Sequence, residues 1–188
     1  GRWEHLWPHL RRSRKKRQKR YARRPRKTSI PERVSIHERP EEVNARKTFG
    51  HWETDTVECE KWQSEMLSVQ YERKAQLVRM HKVNGKHAEN TENAIRKSID
   101  TLPLYLWKSI TFDNGTEGAR HTNIRDDYDI KTFFCDAYAS WQKGGVENMN
   151  GLIRQYFPKG TDFRDVPISA IREAERRLNS RPRKVLDF

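Results

Sequence analysis

Cysteine is nearly absent: Cys59 and Cys135 are the only two in 188 residues, too few for a small disulfide framework or a Cys-rich zinc site. Both are expected to be ordinary, mostly buried residues in a reducing compartment. No run approaches the roughly 18 consecutive apolar residues of a membrane helix, and no charged-then-apolar leader stands at the N-terminus. These absences lead to the expectation of a soluble cytoplasmic protein without a membrane partner. Acidic residues are scarce in one region only. Residues 1 to 48 hold 17 Lys and Arg against 5 Glu, whereas residues 49 to 188 hold 22 against 21, so nearly all of the net +13 sits in the first quarter.

Within that quarter the run RRSRKKRQKRYARRPRK (residues 11–27) cannot pack a core, and a polyanion is its natural partner. As an arm along DNA it places Arg11, Arg12, Arg14, Lys15, Lys16, Arg17, Lys19 and Arg20 on phosphates, with affinity that falls as salt rises. The plainer alternative is a solvated tail or a targeting-like cluster. The chain opens at Gly1 with Trp3, Leu6, Trp7 and Leu10 and no room for a domain, which reads as the middle of a longer protein. Two prolines and mixed charge make residues 28–48 a linker able to dock on the next domain. The expected division is therefore a basic arm and linker over 1–48 and a folded domain over 49–188.

The folded part alternates strands and helices. Strands are expected at 50–58, 65–72 and 76–83, and then Asn84-Gly85 breaks the pattern. Apolar or small residues at 91, 94, 95, 99 and 102 give a helix over 87–101. A strand at 108–112, an irregular stretch, a strand at 130–135 and a helix over about 145–156 come next. Ile168, Ile171 and Leu178 mark a last amphipathic helix after Pro167. Three hairpin-like strands followed by strand-helix alternation imply a mixed sheet with helices on its faces.

Three acids occupy three different settings in that order. Asp55 lies inside the strand GHWETDTV (50–57), Asp113 ends the apolar run SITFDNG (109–115), and Glu147 opens the helix-like segment GGVENMNGLIRQY (144–156). Converging from separate elements, they suit a divalent metal site, because hard Mg²⁺ prefers carboxylate oxygens and water. Two such ions, roughly 3.5 to 4 Å apart, activate an oxygen nucleophile and stabilise the leaving oxygen in phosphodiester chemistry. Each acid also has a plainer explanation. Asp is depleted in strands, and Glu53, two residues earlier on the same face, is an alternative ligand. Asp113 before Asn114-Gly115 is a turn starter. Glu147 in a first helical turn meets the helix dipole favourably.

Around Glu147, Gly144 and Gly145 permit close approach, as a DNA strand against a helix start requires. Lys143 and Arg154 lie four before and seven after Glu147, on its face if the helix runs both ways. They are phosphate contacts or solvated cations. Trp141 reads as a packing anchor rather than a base-stacking platform, while Asn148 and Asn150 either bond DNA or cap the helix.

At these residues the chain resembles the DDE transposases of the IS-thirty family of bacterial insertion sequences. The likeness runs from about residue 30 to 188 through IPERVSIHERP (30–40), GHWETD (50–55), TFDNG (111–115), WQKGGVENMNGLIRQY (141–156), PKGTD (158–162) and LNSRPRK (178–184), with 33 residues between Asp113 and Glu147. The resemblance implies an α/β, RNase-H-like integrase core with a mixed five-stranded sheet flanked by helices. It implies Asp55, Asp113 and Glu147 as the metal-binding catalytic triad, with two Mg²⁺ ions or Mn²⁺ as substitute. The implied activity is cleavage at element ends by water, then attack of the freed 3′-hydroxyl on target DNA, in a homo-oligomer that joins two ends; the implied location is the bacterial cytosol, in association with the nucleoid. Two departures stand out: no upstream helix-turn-helix precedes Gly1, and Gly118 takes a place usually aromatic or apolar. A non-catalytic DNA-binding remnant and a structure-specific nuclease of the same fold are the competing readings.

Overall fold

Runs of β-branched and aromatic residues bounded by polar turns build the centre of the chain. In the computed structural model, which describes residues 30–58 and 64–187, β1 (His51–Val57), β2 (Glu65–Glu72) and β3 (Val78–Asn84) form an antiparallel meander. β4 (Ser109–Phe112) and β5 (Lys131–Phe134) add parallel strands on the other side of β1, giving a five-stranded sheet of order β3-β2-β1-β4-β5. β1 is therefore central. In the β1–β4 register Glu53 faces Thr111, so two residues further along both strands Asp55 comes beside Asp113 at the end of the sheet.

Helices cover both faces. On one, α4 (Gly144–Ile153) and α5 (Ile168–Asn179) bury Val146, Met149, Ile153, Ile171 and Leu178 against Leu67, Val69 and Met80. On the other, α2 (Ala88–Ile99) and α3 (His121–Tyr128) bury Ile95, Ile99 and Ile124 against Trp52, Ile110 and Phe134. The stretch between β4 and β5, expected to be irregular, holds α3. Its sequence HTNIRDDY offers one aliphatic side chain, Ile124, and the helix rests on burying that residue and His121, whose ring bonds Thr132 Oγ1 at 2.8 Å. Tertiary packing outweighs weak helical periodicity there.

Both sheet edges are covered, which removes the unpaired backbone groups that invite strand addition. On β3, Asn179 of α5 accepts from Val78 N at 2.8 Å and donates to Val78 O at 2.9 Å, while Glu175 accepts from Met80 N at 2.7 Å. On β5, Phe134 N donates to Val34 O at 2.9 Å, and Ile30, Ile36 and Val43 are buried. Residues 30–48 thus lie against the sheet, with a one-turn α1 (Glu41–Asn44). Arg39 anchors them through Asn44 Oδ1 and Thr111 Oγ1. Cys135 is buried; Cys59 and the basic run Arg11 to Arg20 lie outside the described residues.

Candidate active site

The site begins with a cap supplied by a strand. α4 has no side-chain N-cap of its own, and its orphan Val146 N–H donates 2.9 Å to Glu53 Oε2 on β1, a carboxylate at the positive end of the helix. Glu53 is fully buried, and its other oxygen takes the guanidinium of buried Arg73. Both Glu53 oxygens are thus engaged, and the carboxylate fastens the helix to the sheet. Gly145 makes the fastening possible, because a Cβ there would stand 2.5 Å from Tyr71 Cε1 and 2.9 Å from Glu53 Oε2. The close approach that this glycine allows is of helix to sheet, not of DNA. Gly144, by contrast, faces open space.

Fixed this way, α4 and the 3₁₀ turn before it (Ser140–Lys143) meet Asp55 from two sides. Asn150 Nδ2 donates to Asp55 Oδ2 at 2.7 Å, and Lys143 Nζ stands 3.1 Å from Asp55 Oδ1 and 2.9 Å from Thr54 O. The same ammonium is 3.9 Å from Asp113 Oδ2. Asp113 itself is steadied by Gly115 N, which donates to its Oδ1 at 2.7 Å. The Gly115 bond fits the turn-starter reading of Asp113, while its Oδ2 faces Lys143. Burial alone would lower the Lys143 pKa, yet the charges of Asp55 and Asp113 and the bond to Asp55 outweigh it, and the pKa is raised.

The structure brings Asp55 and Asp113 together but leaves Glu147 exposed on α4. Among the described residues no three His, Cys, Asp or Glu side chains are grouped to hold one ion. Lys143 and Glu147 do not share an outer face as the spacing suggested. The helix starts only at Gly144, and the side chain of Lys143 turns inward, 5% exposed. Arg154 caps the C-terminal end of α4, half-buried. Trp141, read as a packing anchor, is 74% exposed.

Two residues gained a place that sequence did not assign. Asn150 orients Asp55, with its Oδ1 buried and unpartnered. Glu117 lines a small pocket with Asp55, Asp113, Thr56 and Thr91 and accepts from Thr56 Oγ1 at 2.6 Å. Burial raises its pKa, against the Thr56 bond and with the charge of Asp113. Its position four residues after Asp113 on the sheet's end was the available signal. The departure at Gly118 has a packing cause, since a Cβ there would stand 2.7 Å from Phe134 Cε1 and 3.2 Å from Phe112 Cδ1. Those two stacked rings already fill the space.

No family model matches the chain. It is 40% identical over 178 residues to the transposase for insertion sequence element IS4351 of Bacteroides fragilis, covering 90% of this chain and 53% of that protein. It is 38% identical over 182 residues to the transposase for IS1086 of Cupriavidus metallidurans, covering 95% and 52%. Against transposase InsI for IS30A of Escherichia coli the figures are 37% over 153 residues, 81% and 39%. The chain thus spans about half the length of the curated relatives it matches, or less. Among solved structures, the HTLV-2 integrase catalytic core domain in complex with magnesium superposes with TM-score 0.55 at 22% identity, over 71% of this chain and 88% of that one. The catalytic core domain of BIV integrase gives 0.56 at 18% identity, over 72% and 87%. These likenesses confirm the fold as an RNase-H-like integrase core, and in sequence the chain is similar to IS30-family transposases at 35–40% identity.

Proposed function

We propose that this chain carries the catalytic core of a transposase that cuts DNA at the ends of an insertion sequence and joins the freed 3′-hydroxyl to target DNA, with divalent metal held by Asp55, Asp113 and Glu147. One observation carries the reading: Asp55 and Asp113 converge on a single cationic group, Lys143 Nζ, at 3.1 and 3.9 Å. A position that holds an ammonium between two carboxylates offers a hard divalent ion the oxygen ligands it prefers. The unpartnered Asn150 Oδ1 next to Asp55 adds a neutral oxygen of the same chemical kind. When bound, a pair of Mg²⁺ ions, or Mn²⁺ in their place, supplies an activated nucleophile and a stabilised leaving oxygen.

The protein's own contribution is positioning. Asn150 fixes one Asp55 oxygen and Gly115 N–H fixes one Asp113 oxygen, which leaves Asp113 Oδ2 turned toward the shared position. Glu147 precedes Asn150 by three residues on α4, so both lie on one stripe of the helix. Lys143 and Asn150, which flank Glu147 in sequence, both touch Asp55. That arrangement supports Glu147 as the third ligand, reached through a change of side-chain conformation. The basic run Arg11 to Arg20 and Arg154 contact DNA phosphates, while exposed Trp141 favours a DNA-facing role over packing. Joining two element ends calls for more than one copy, hence a homo-oligomer. The test is strand transfer: a labelled, pre-cleaved element end, target DNA, Mg²⁺ and the full chain are expected to give joined product. Asp113→Asn and Glu147→Gln are each expected to lose it, and equal joining by Asp113→Asn overturns the reading.

A further inference from the structure

Lys143 is placed in the opposite way from a phosphate clamp. Its side chain is 5% exposed, and its ammonium is held by Thr54 O, Asp55 Oδ1 and the charge of Asp113. Two carboxylates brought side by side by the β1–β4 register repel each other, and among the described residues Lys143 is the cation within 4 Å of both, with Lys86 adding its charge near Asp113. A divalent ion bound to the same oxygens at about 2.1 Å leaves no room for it, and the two cations repel. We infer that Lys143 is a built-in counter-cation that holds Asp55 and Asp113 together before metal arrives and is displaced when metal binds, so that metal affinity is set by competition with Lys143. The inference rests on the metal-site reading of Asp55 and Asp113.

The local packing allows the displacement. Lys143 ends the 3₁₀ turn Ser140–Lys143 and serves as the N-cap residue of α4. On its C-terminal side, a Cβ added at Gly144 would meet nothing within 4 Å, and Trp141, two residues before Lys143, is 74% exposed. Tight packing resumes at Gly145 against Tyr71 and Glu53. The Lys143 side chain can therefore turn outward about its own rotatable bonds while Gln142, bonded to Asp136, holds the turn and α4 stays fastened to β1. By linkage, whatever the Lys143 contacts contribute to the metal-free state is subtracted from metal binding by the same factor.

The experiment is calorimetric titration of the full chain with Mn²⁺, paired with thermal unfolding in EDTA and in saturating Mn²⁺. Lys143→Met removes the charge, and Lys143→Gln removes it while keeping a donor for Thr54 O. Both variants are expected to bind Mn²⁺ about tenfold more tightly than wild type, within the usual range of coupling between two sites. Both are also expected to melt earlier than wild type in EDTA, with the gap closing in Mn²⁺. A purely structural role for Lys143 would weaken metal binding instead. If wild type binds Mn²⁺ in a manner lost in Asp55→Asn, and the folded Lys143 variants bind it no more tightly, the inference about Lys143 is overturned while the metal site stands. If wild type shows no Mn²⁺ binding that Asp55→Asn removes, the metal-site reading falls and this inference with it.

Discussion

Substituting Arg73 by Met tests how α4 is held over the sheet. Glu53 is 0% exposed and Arg73 6%, so the variant leaves a carboxylate buried with the Val146 N–H at 2.9 Å as its remaining hydrogen bond and the charge of Arg39 nearby. Breaking a buried pair from one side typically costs about 3–5 kcal/mol, a large part of the roughly 5–15 kcal/mol that holds a domain together. Removing both charges in Arg73→Met/Glu53→Leu eliminates the stranded carboxylate and leaves one unsatisfied backbone N–H, a cost of about 1–3 kcal/mol. The double variant is therefore expected to be more stable than Arg73→Met alone. Urea unfolding followed by circular dichroism gives both values, with an unchanged denaturant slope confirming that only stability moved. A loss below about 1 kcal/mol in Arg73→Met, well under the range for a buried pair, or costs that simply add in the double variant, would refute this role for Glu53.

The same fastening predicts that Gly145→Ala, which forces a methyl against Tyr71 and Glu53, costs about 1–3 kcal/mol by overpacking in the same urea assay. Gly144→Ala, in open space, is expected to cost less. Stability should also depend on pH through buried His51 and half-buried His81. His51, by burial and then the charge of Lys108, and His81, by burial and then Arg79, are each lowered from 6.5 to about 4. Their neutral forms favour the fold above pH 6.5, and that contribution is lost as pH falls from 6.5 toward about 4 while the unfolded chain takes up protons first. Replacing both by Gln should flatten the thermal stability profile across that window; an unchanged slope would show that neither histidine is responsible.

Much of this architecture is written locally. Alternation in GHWETDTV and EMLSVQYE marks β1 and β2, and the spacing of Thr91, Ala94, Ile95 and Ile99 marks α2. α3 was hidden because its helical pattern rests on Ile124 and on His121, a residue that reads as polar. At the site, strand, turn and helix settings identified Asp55, Asp113 and Glu147 as candidates, but pairing across strands decides which acids are free. Glu53 and Asp55 share a face at a spacing of two, and only Arg73, from the far end of β2, separates the anchor from the candidate ligand. Lys143 misled for a related reason. Helical spacing placed it beside Glu147, whereas the chain turns just before Gly144 and aims the ammonium inward. Gly145 signalled close approach correctly, although nothing local says that the approaching surface is Tyr71 rather than DNA.

The most direct measurement is the position of bound metal. Crystals of the full chain grown with saturating Mn²⁺, with data collected at a wavelength where manganese scatters anomalously, would place the ion without reference to activity. The expected result is an anomalous peak between Asp55 and Asp113, with carboxylate oxygens at about 2.1 Å, the Glu147 carboxylate turned toward it and Lys143 moved away. Manganese absent from that position, with Lys143 still between the two aspartates, would contradict the proposal that these residues form the metal site of a strand-transfer enzyme.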